Sequence, residues 1–148
     1  MVDVEIREIG RQPIAVARRP VTPSSISAEM IPGLDAVWRF VHAKGLETGH
    51  NVAVYTGAPD GTLDAWFGVE VAAPFDGDCS IDCAWMPIGL TAVATHVGPY
   101  DSLGTTHQAV REWCAAHEYD LSGTTWEIYG DAPDDPTKLV TTVGYFLA

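Results

Sequence analysis

Trp38-Arg39-Phe40-Val41-His42 and Trp113-Cys114-Ala115-Ala116-His117 share a Trp and a His at one spacing, and this echo constrains the fold more than any other feature of the chain. The two tryptophans, the two histidines and the pair Leu46 and Leu121 each stand 75 residues apart. After a one-residue slip, Tyr55 pairs with Tyr129, and the turn Ala58-Pro59-Asp60 with Ala132-Pro133-Asp134, at a spacing of 74. Matches that keep their order in this way imply a tandem duplication, with repeats over residues 1–75 and 76–148. The 148 residues leave no room for a further domain of ordinary size, so both repeats belong to a single domain.

Hydrophobic period assigns each half the same elements. Alternation predicts strands near 2–9, 13–19, 51–56 and 64–72, and again near 79–85, 90–97, 125–130 and 138–147. Helical spacing of Leu34, Val37, Trp38 and Val41 predicts a helix near 33–44; Leu103, Thr106, Val110, Trp113, Cys114 and His117 predict a second near 102–118. The stretch from Thr22 to Pro32 has no clear period. Each half therefore reads as a strand-helix-strand-strand module behind a leading strand, and the class is α+β. The joint Ala73-Pro74-Phe75-Asp76-Gly77-Asp78 is short and turn-like, so the modules are expected to pack about a pseudo-twofold axis with a ligand groove at their seam. Trp38 and Trp113 are expected to bury against a sheet, and His42 and His117 to sit at helix ends.

Charge narrows the partners. The formal net charge of −12 repels phosphate backbones and anionic lipid, which argues against direct nucleic-acid or membrane binding and suits an organic cation. An acidic face that only aids solubility explains the charge equally well. The N-terminus lacks the basic and apolar regions of a signal peptide, and no apolar run reaches the roughly 20 residues that span a bilayer, so a cytoplasmic location is expected. Three cysteines, an odd number, fit a reducing compartment; the spacing of Cys79 and Cys83 matches neither a zinc site nor a redox pair. Phosphate-binding, dinucleotide-binding and metalloprotease motifs are absent and the histidines are unpaired, so neither a cofactor nor a metal is expected.

The residue set that points to chemistry is Trp126-Glu127-Ile128-Tyr129. Strand alternation puts Glu127 and Tyr129 on one face and Trp126 and Ile128 on the other. Taking Trp126 and Ile128 as the buried, helix-facing pair, Glu127 and Tyr129 point to the opposite surface. Their repeat mates Ala53 and Tyr55 then share that surface, giving two tyrosines and one carboxylate around the seam. An exposed glutamate in a half-buried sheet satisfies the same pattern.

The run His96-Val97-Gly98-Pro99-Tyr100-Asp101-Ser102-Leu103, followed by Trp113 and His117 and then by Trp126-Glu127-Ile128-Tyr129, resembles the GyrI-like family, whose fold is shared by effector-binding domains of AraC-type and MerR-type regulators. The resemblance implies a groove in which aromatic side chains and one acid bind lipophilic, often cationic, compounds. It transfers the acid's role to Glu127 and makes Tyr55, Trp66, Trp85, Tyr129 and Tyr145 candidates for the lining, of which Trp85 and Tyr145 read equally well as core. Because the first strand begins near Val2, a stand-alone form without a DNA-binding segment is expected. The resemblance also implies two alternatives. One is hydrolysis of strained cyclopropane-bearing electrophiles, with Glu127 as general base and Tyr129 or Tyr55 as hydrogen-bond donor; the other is an interaction protein that inhibits DNA gyrase.

Overall fold

The computed structural model describes residues 3–131 and 133–148. Position 2 of the first expected strand and Ala132 of the second turn lie outside them. The elements run β1 (Val4–Ile9), β2 (Pro13–Val21), α1 (Ile26–Lys44), β3 (Thr48–Gly57), β4 (Leu63–Val71), β5 (Asp82–Trp85), β6 (Gly89–Val97), α2 (Leu103–Ala116), β7 (Leu121–Tyr129) and β8 (Val140–Leu147). Short 3-10 turns at Tyr100–Ser102 and Pro136–Lys138 lead into α2 and β8.

All eight strands join one antiparallel sheet in the order β1-β6-β8-β7-β3-β4-β2-β5. The order reads the same from either edge when the first four strands are exchanged for the last four. The central pair is β3 and β7, where Ala53 faces Glu127 directly across the ladder. Following the register outward, a lateral row runs Val4, Ala94, Val143, Glu127, Ala53, Phe67 and Ala17, and residues so paired project from the same face. That face carries both helices: α1 lies on β2 and β4, and α2 on β6 and β8. Among the described residues neither helix lies along β3 and β7; the inner side of α1 reaches Ala53 and Tyr55, and the middle of the row, with Glu127, becomes the floor of a groove.

Two local features shape these elements against expectation. Helix α1 begins at Ile26 and passes through Pro32, although proline in a helix interior costs about 3 kcal/mol. Packing offsets that cost. Gly33 sits so close to Phe67 that a Cβ there would lie 3.2 Å from the ring, and Ile26, Met30 and Leu34 pack on the cluster of Val21, Ala53, Tyr55, Ala65 and Phe67. Strand β5 is shorter than the alternation from Cys79 implies, because the Asp78 carboxylate accepts hydrogen bonds from the amides of Ser80 (2.8 Å) and Ile81 (2.7 Å) and holds a turn there.

The face assignment of β7 is corrected. Trp126 does not face the helices. It packs on the opposite side with Ile14, Val16, Val52, Val54, Ala84, Met86, Val93 and Phe146, a second core with no helix in it. Trp126 stands opposite Gly144, and a methyl at that position would overlap the indole, so the ring occupies the volume that glycine leaves open. Glu127 and Tyr129 consequently face the helix side.

The helix stripes are also corrected. Trp38 and Trp113 are half-buried and not core. Each packs against the histidine one turn on: Trp38 edge-on to His42 at 5.5 Å, and Trp113 stacked on His117 at 4.1 Å. The buried positions are Gly33, Val37, Phe40 and Val41 in α1 and Thr106, Val110 and Cys114 in α2; all but Phe40 pair at 73 residues in place of 75. The two tryptophans therefore flank their buried stripes from opposite sides, one just after Val37 and the other just before Cys114.

Candidate functional site

The middle of the sheet and the inner sides of the helices enclose a cavity of about 680 Å³. Its floor is Asn51 and Tyr55 of β3 with Thr125, Glu127 and Tyr129 of β7. Its walls are two stripes at four-residue spacing, the helical repeat that keeps side chains on one face. Helix α1 supplies the apolar Ile26, Met30 and Leu34, with Ser27 beside them; α2 supplies Leu103, His107 and Arg111. At the 73-residue spacing of the buried stripes, Leu34 corresponds to His107 and Met30 to Leu103. One wall is greasy and the other polar.

Glu127 is 7% exposed and its Oε2 has no hydrogen-bond partner among the described residues. A buried carboxylate oxygen without a donor is costly, so the group is poised for a cation or a donor from outside. The basic side chain that approaches it is His107, with Nε2 3.7 Å from Oε2, beyond hydrogen-bond length. His107 is oriented from behind: its Nδ1 lies 2.7 Å from the Tyr145 hydroxyl, to which Arg111 Nη1 donates at 2.9 Å. With its oxygen accepting from Arg111, the Tyr145 hydroxyl keeps its own hydrogen to donate to an unprotonated Nδ1. This places the proton of a neutral His107 on Nε2, aimed at Glu127.

Three tyrosines complete the polar end. Tyr55 and Tyr129 stand on the neighbouring strands β3 and β7, and both are raised above the ordinary value of 10.0, first by burial and then by the Glu127 charge. Tyr100 is raised for the same two reasons, and its ring meets Tyr129 edge-on at 5.7 Å. Tyr100 is delivered by the turn at Gly98-Pro99. Gly98 has φ 131°, a conformation that side-chain-bearing residues rarely adopt. Buried His96 ties the turn down, with Nε2 3.1 Å from the Pro99 carbonyl and Nδ1 2.8 Å from the Thr106 hydroxyl.

The raised tyrosines make a pH prediction. In the unfolded chain Tyr55 and Tyr129 ionise near pH 10.0, whereas in the folded protein they hold their protons higher. The unfolded state thus loses protons first, and this stability is complete below about pH 10 and lost as pH rises through the folded values. Denaturant midpoints are expected to fall between about pH 9 and about pH 11, and to fall less steeply in Tyr129→Phe. An equal fall in both proteins would contradict the coupling.

Of the six residues expected to line the groove, Glu127, Tyr129 and Tyr55 do so. Tyr145 lies just behind the wall and acts through His107 and Arg111. Trp66 and Trp85 are not brought there. Trp66 packs on the helix-free core with Arg18 4.8 Å above its ring, and Trp85 is exposed on the edge strand β5 under Arg11 at 4.7 Å. His107, Arg111 and the α1 stripe escaped sequence reasoning. The four-residue spacing of Leu103, His107 and Arg111 was the signal that could have found the polar wall.

Residues 2–144 match the family of GyrI-like small molecule binding domains. Among solved structures, the EcmrR C-terminal domain superposes with a TM-score of 0.83 at 19% identity, over 100% of this chain and 98% of that one. The full EcmrR in its DNA complex matches at 0.80 and 20% identity; there the chain covers only 57% of the relative's length. SAV2435 bound to tetraphenylphosphonium gives 0.68 at 11% identity, over 99% and 94% of the two chains. A hydrolase from Listeria innocua gives 0.63 at 10%, over 98% and 91%. No curated protein sequence matches the chain. At these identities the structural likeness speaks for the fold, and the sequence match supplies the family: the chain belongs to the GyrI-like small-molecule-binding domains.

Proposed function

We propose that the chain binds lipophilic organic cations in the cavity between α1 and α2, with Glu127 as the charge partner. The observation that carries this is the buried, unpartnered Oε2 of Glu127 at the floor of a cavity large enough for a drug-sized molecule. Tyr55, Tyr100 and Tyr129 add ring faces and edges beside the carboxylate, where cation–π attraction of about 0.5–2 kcal/mol per ring accrues. The tetraphenylphosphonium bound to SAV2435 is the type of compound such a site suits. The symmetric strand order supports a second part of the proposal, that the halves are duplicates about a pseudo-twofold axis through Ala53 and Glu127, the self-matching pair at the 74-residue spacing.

Calorimetric titration with tetraphenylphosphonium tests the reading. Removing one partner of a desolvated charge pair costs about 2–5 kcal/mol, so Glu127→Gln is expected to weaken binding by about 30-fold or more. Unchanged affinity would remove Glu127 from its role. Hydrolysis is a second reading, supported by the unpartnered Oε2: Glu127 takes a proton from a water whose oxygen bonds to a ring carbon, the ring bond breaks, and the opened carbon receives the proton. A cyclopropane-bearing electrophile gaining one water in the wild type but not in Glu127→Gln, followed by mass spectrometry, distinguishes it from binding alone.

A further inference from the structure

A site for cations alone does not account for one member of the polar wall: a permanently charged arginine lines the same cavity. Arg111 lines the cavity together with Glu127, and its guanidinium is fixed by donation from Nη1 to the buried Tyr145 hydroxyl at 2.9 Å. Among the described residues it has no carboxylate partner; the ion pairs present involve Arg7, Arg18, His50 and His107. A guanidinium carries five donors in a rigid fork, and one bond to a tyrosine leaves most of them open. Pure selection for organic cations would disfavour this, since a like charge in the cavity repels them. At the 73-residue spacing the first-half position is Trp38, which turns its indole to Asn51 at 2.8 Å, and Leu34 stands where the second half has His107. Ala53 stands where it has Glu127. Both signs of charge are thus gathered on the second half, against an apolar wall from the first.

We propose that the cavity takes amphoteric ligands: an apolar or aromatic body on Ile26, Met30 and Leu34, a cationic or donor centre on Glu127, and an anionic group, carboxylate or similar, on Arg111. The inference rests on the small-molecule-binding reading and specifies the class of ligand for that site. A charge-assisted pair between a guanidinium and a carboxylate is strong and directional, and Arg111 is held where its fork is available. Arg111 is exposed to solvent at the cavity wall, which limits the gain to about fivefold.

Rhodamine B and its ethyl ester make the test, because they share one delocalised cation and differ only in whether the carboxyl group is free. In fluorescence-anisotropy titrations at neutral pH, with tetraphenylphosphonium titrated in parallel, the wild type is expected to bind the zwitterion about fivefold more tightly than the ester. Arg111→Gln should reverse the order, weakening the zwitterion and tightening the ester by removing the like charge; Arg111→Lys should keep part of the preference. If tetraphenylphosphonium binds but the wild type prefers the ester, or if the preference survives Arg111→Gln, the amphoteric inference is overturned while cation binding stands. If none of the three compounds binds, the binding reading falls and takes this inference with it.

Discussion

Trp126→Ala is expected to lower the unfolding free energy by about 3–5 kcal/mol, the range for truncating a buried large aromatic. The indole is 1% exposed at the centre of the helix-free core, and it fills the space above Gly144 on the neighbouring strand. That contact predicts a strong coupling. Gly144→Ala in the wild type forces a methyl into the ring and should cost about 1–3 kcal/mol as overpacking. In the Trp126→Ala background the same methyl enters vacated space, so its cost should nearly vanish. Urea unfolding of the two single variants and the double variant measures the difference; additive costs would show that Gly144 is present for some other reason. The consequence reaches the site, because Trp126 and Glu127 are successive residues on opposite faces of β7. Loosening the indole loosens the backbone that aims the carboxylate.

The same strand shows where sequence reasoning succeeds and where it stops. Alternation separated Trp126 and Ile128 from Glu127 and Tyr129, and the structure keeps that separation. It could not decide which pair meets the helices, because both faces of this sheet are covered and each presents large residues to a core. The rule that the bulkiest pair faces the helix holds only for a sheet with one dry face. In the helices the strongest identity, Trp to Trp at 75, does not coincide with burial, since buried positions such as Gly33 and Thr106 stand 73 apart. Identity records shared ancestry or chance, whereas burial follows the helical period. Arg111 and His107 went unnoticed because charged helix residues are ordinarily solvated; only the groove left between two helices on one sheet turns that face inward. Tyr100 was visible within the Gly-Pro-Tyr-Asp turn, but its position over Tyr129 depends on the His96 anchor, which pairs residues from β6, the turn and α2.

Moving the acid across the ladder, Ala53→Glu combined with Glu127→Ala, is expected to destroy binding and to destabilise the fold. A strict twofold would make the exchange mild, with the ligand merely turned about the axis. The structure denies this at each neighbour. Ala53 is fully buried in a cluster with Val21, Tyr55, Ala65 and Phe67, against which Met30 and Leu34 pack, whereas Glu127 faces His107. A glutamate at position 53 would enter an apolar setting with Leu34 in the place of the imidazole. Burying a carboxylate without a charge partner costs several kcal/mol or forces the group to stay protonated, and a protonated acid has no charge to offer a cation. The swapped protein should therefore lose several kcal/mol of stability and bind tetraphenylphosphonium at least about 100-fold more weakly than the wild type, while Glu127→Ala alone loses affinity with its fold intact. Thermal unfolding and calorimetry on the three proteins decide the matter. Retained affinity in the swapped variant would mean that the tyrosines, which the two halves share, hold the cation, and that the polar wall of α2 is not required.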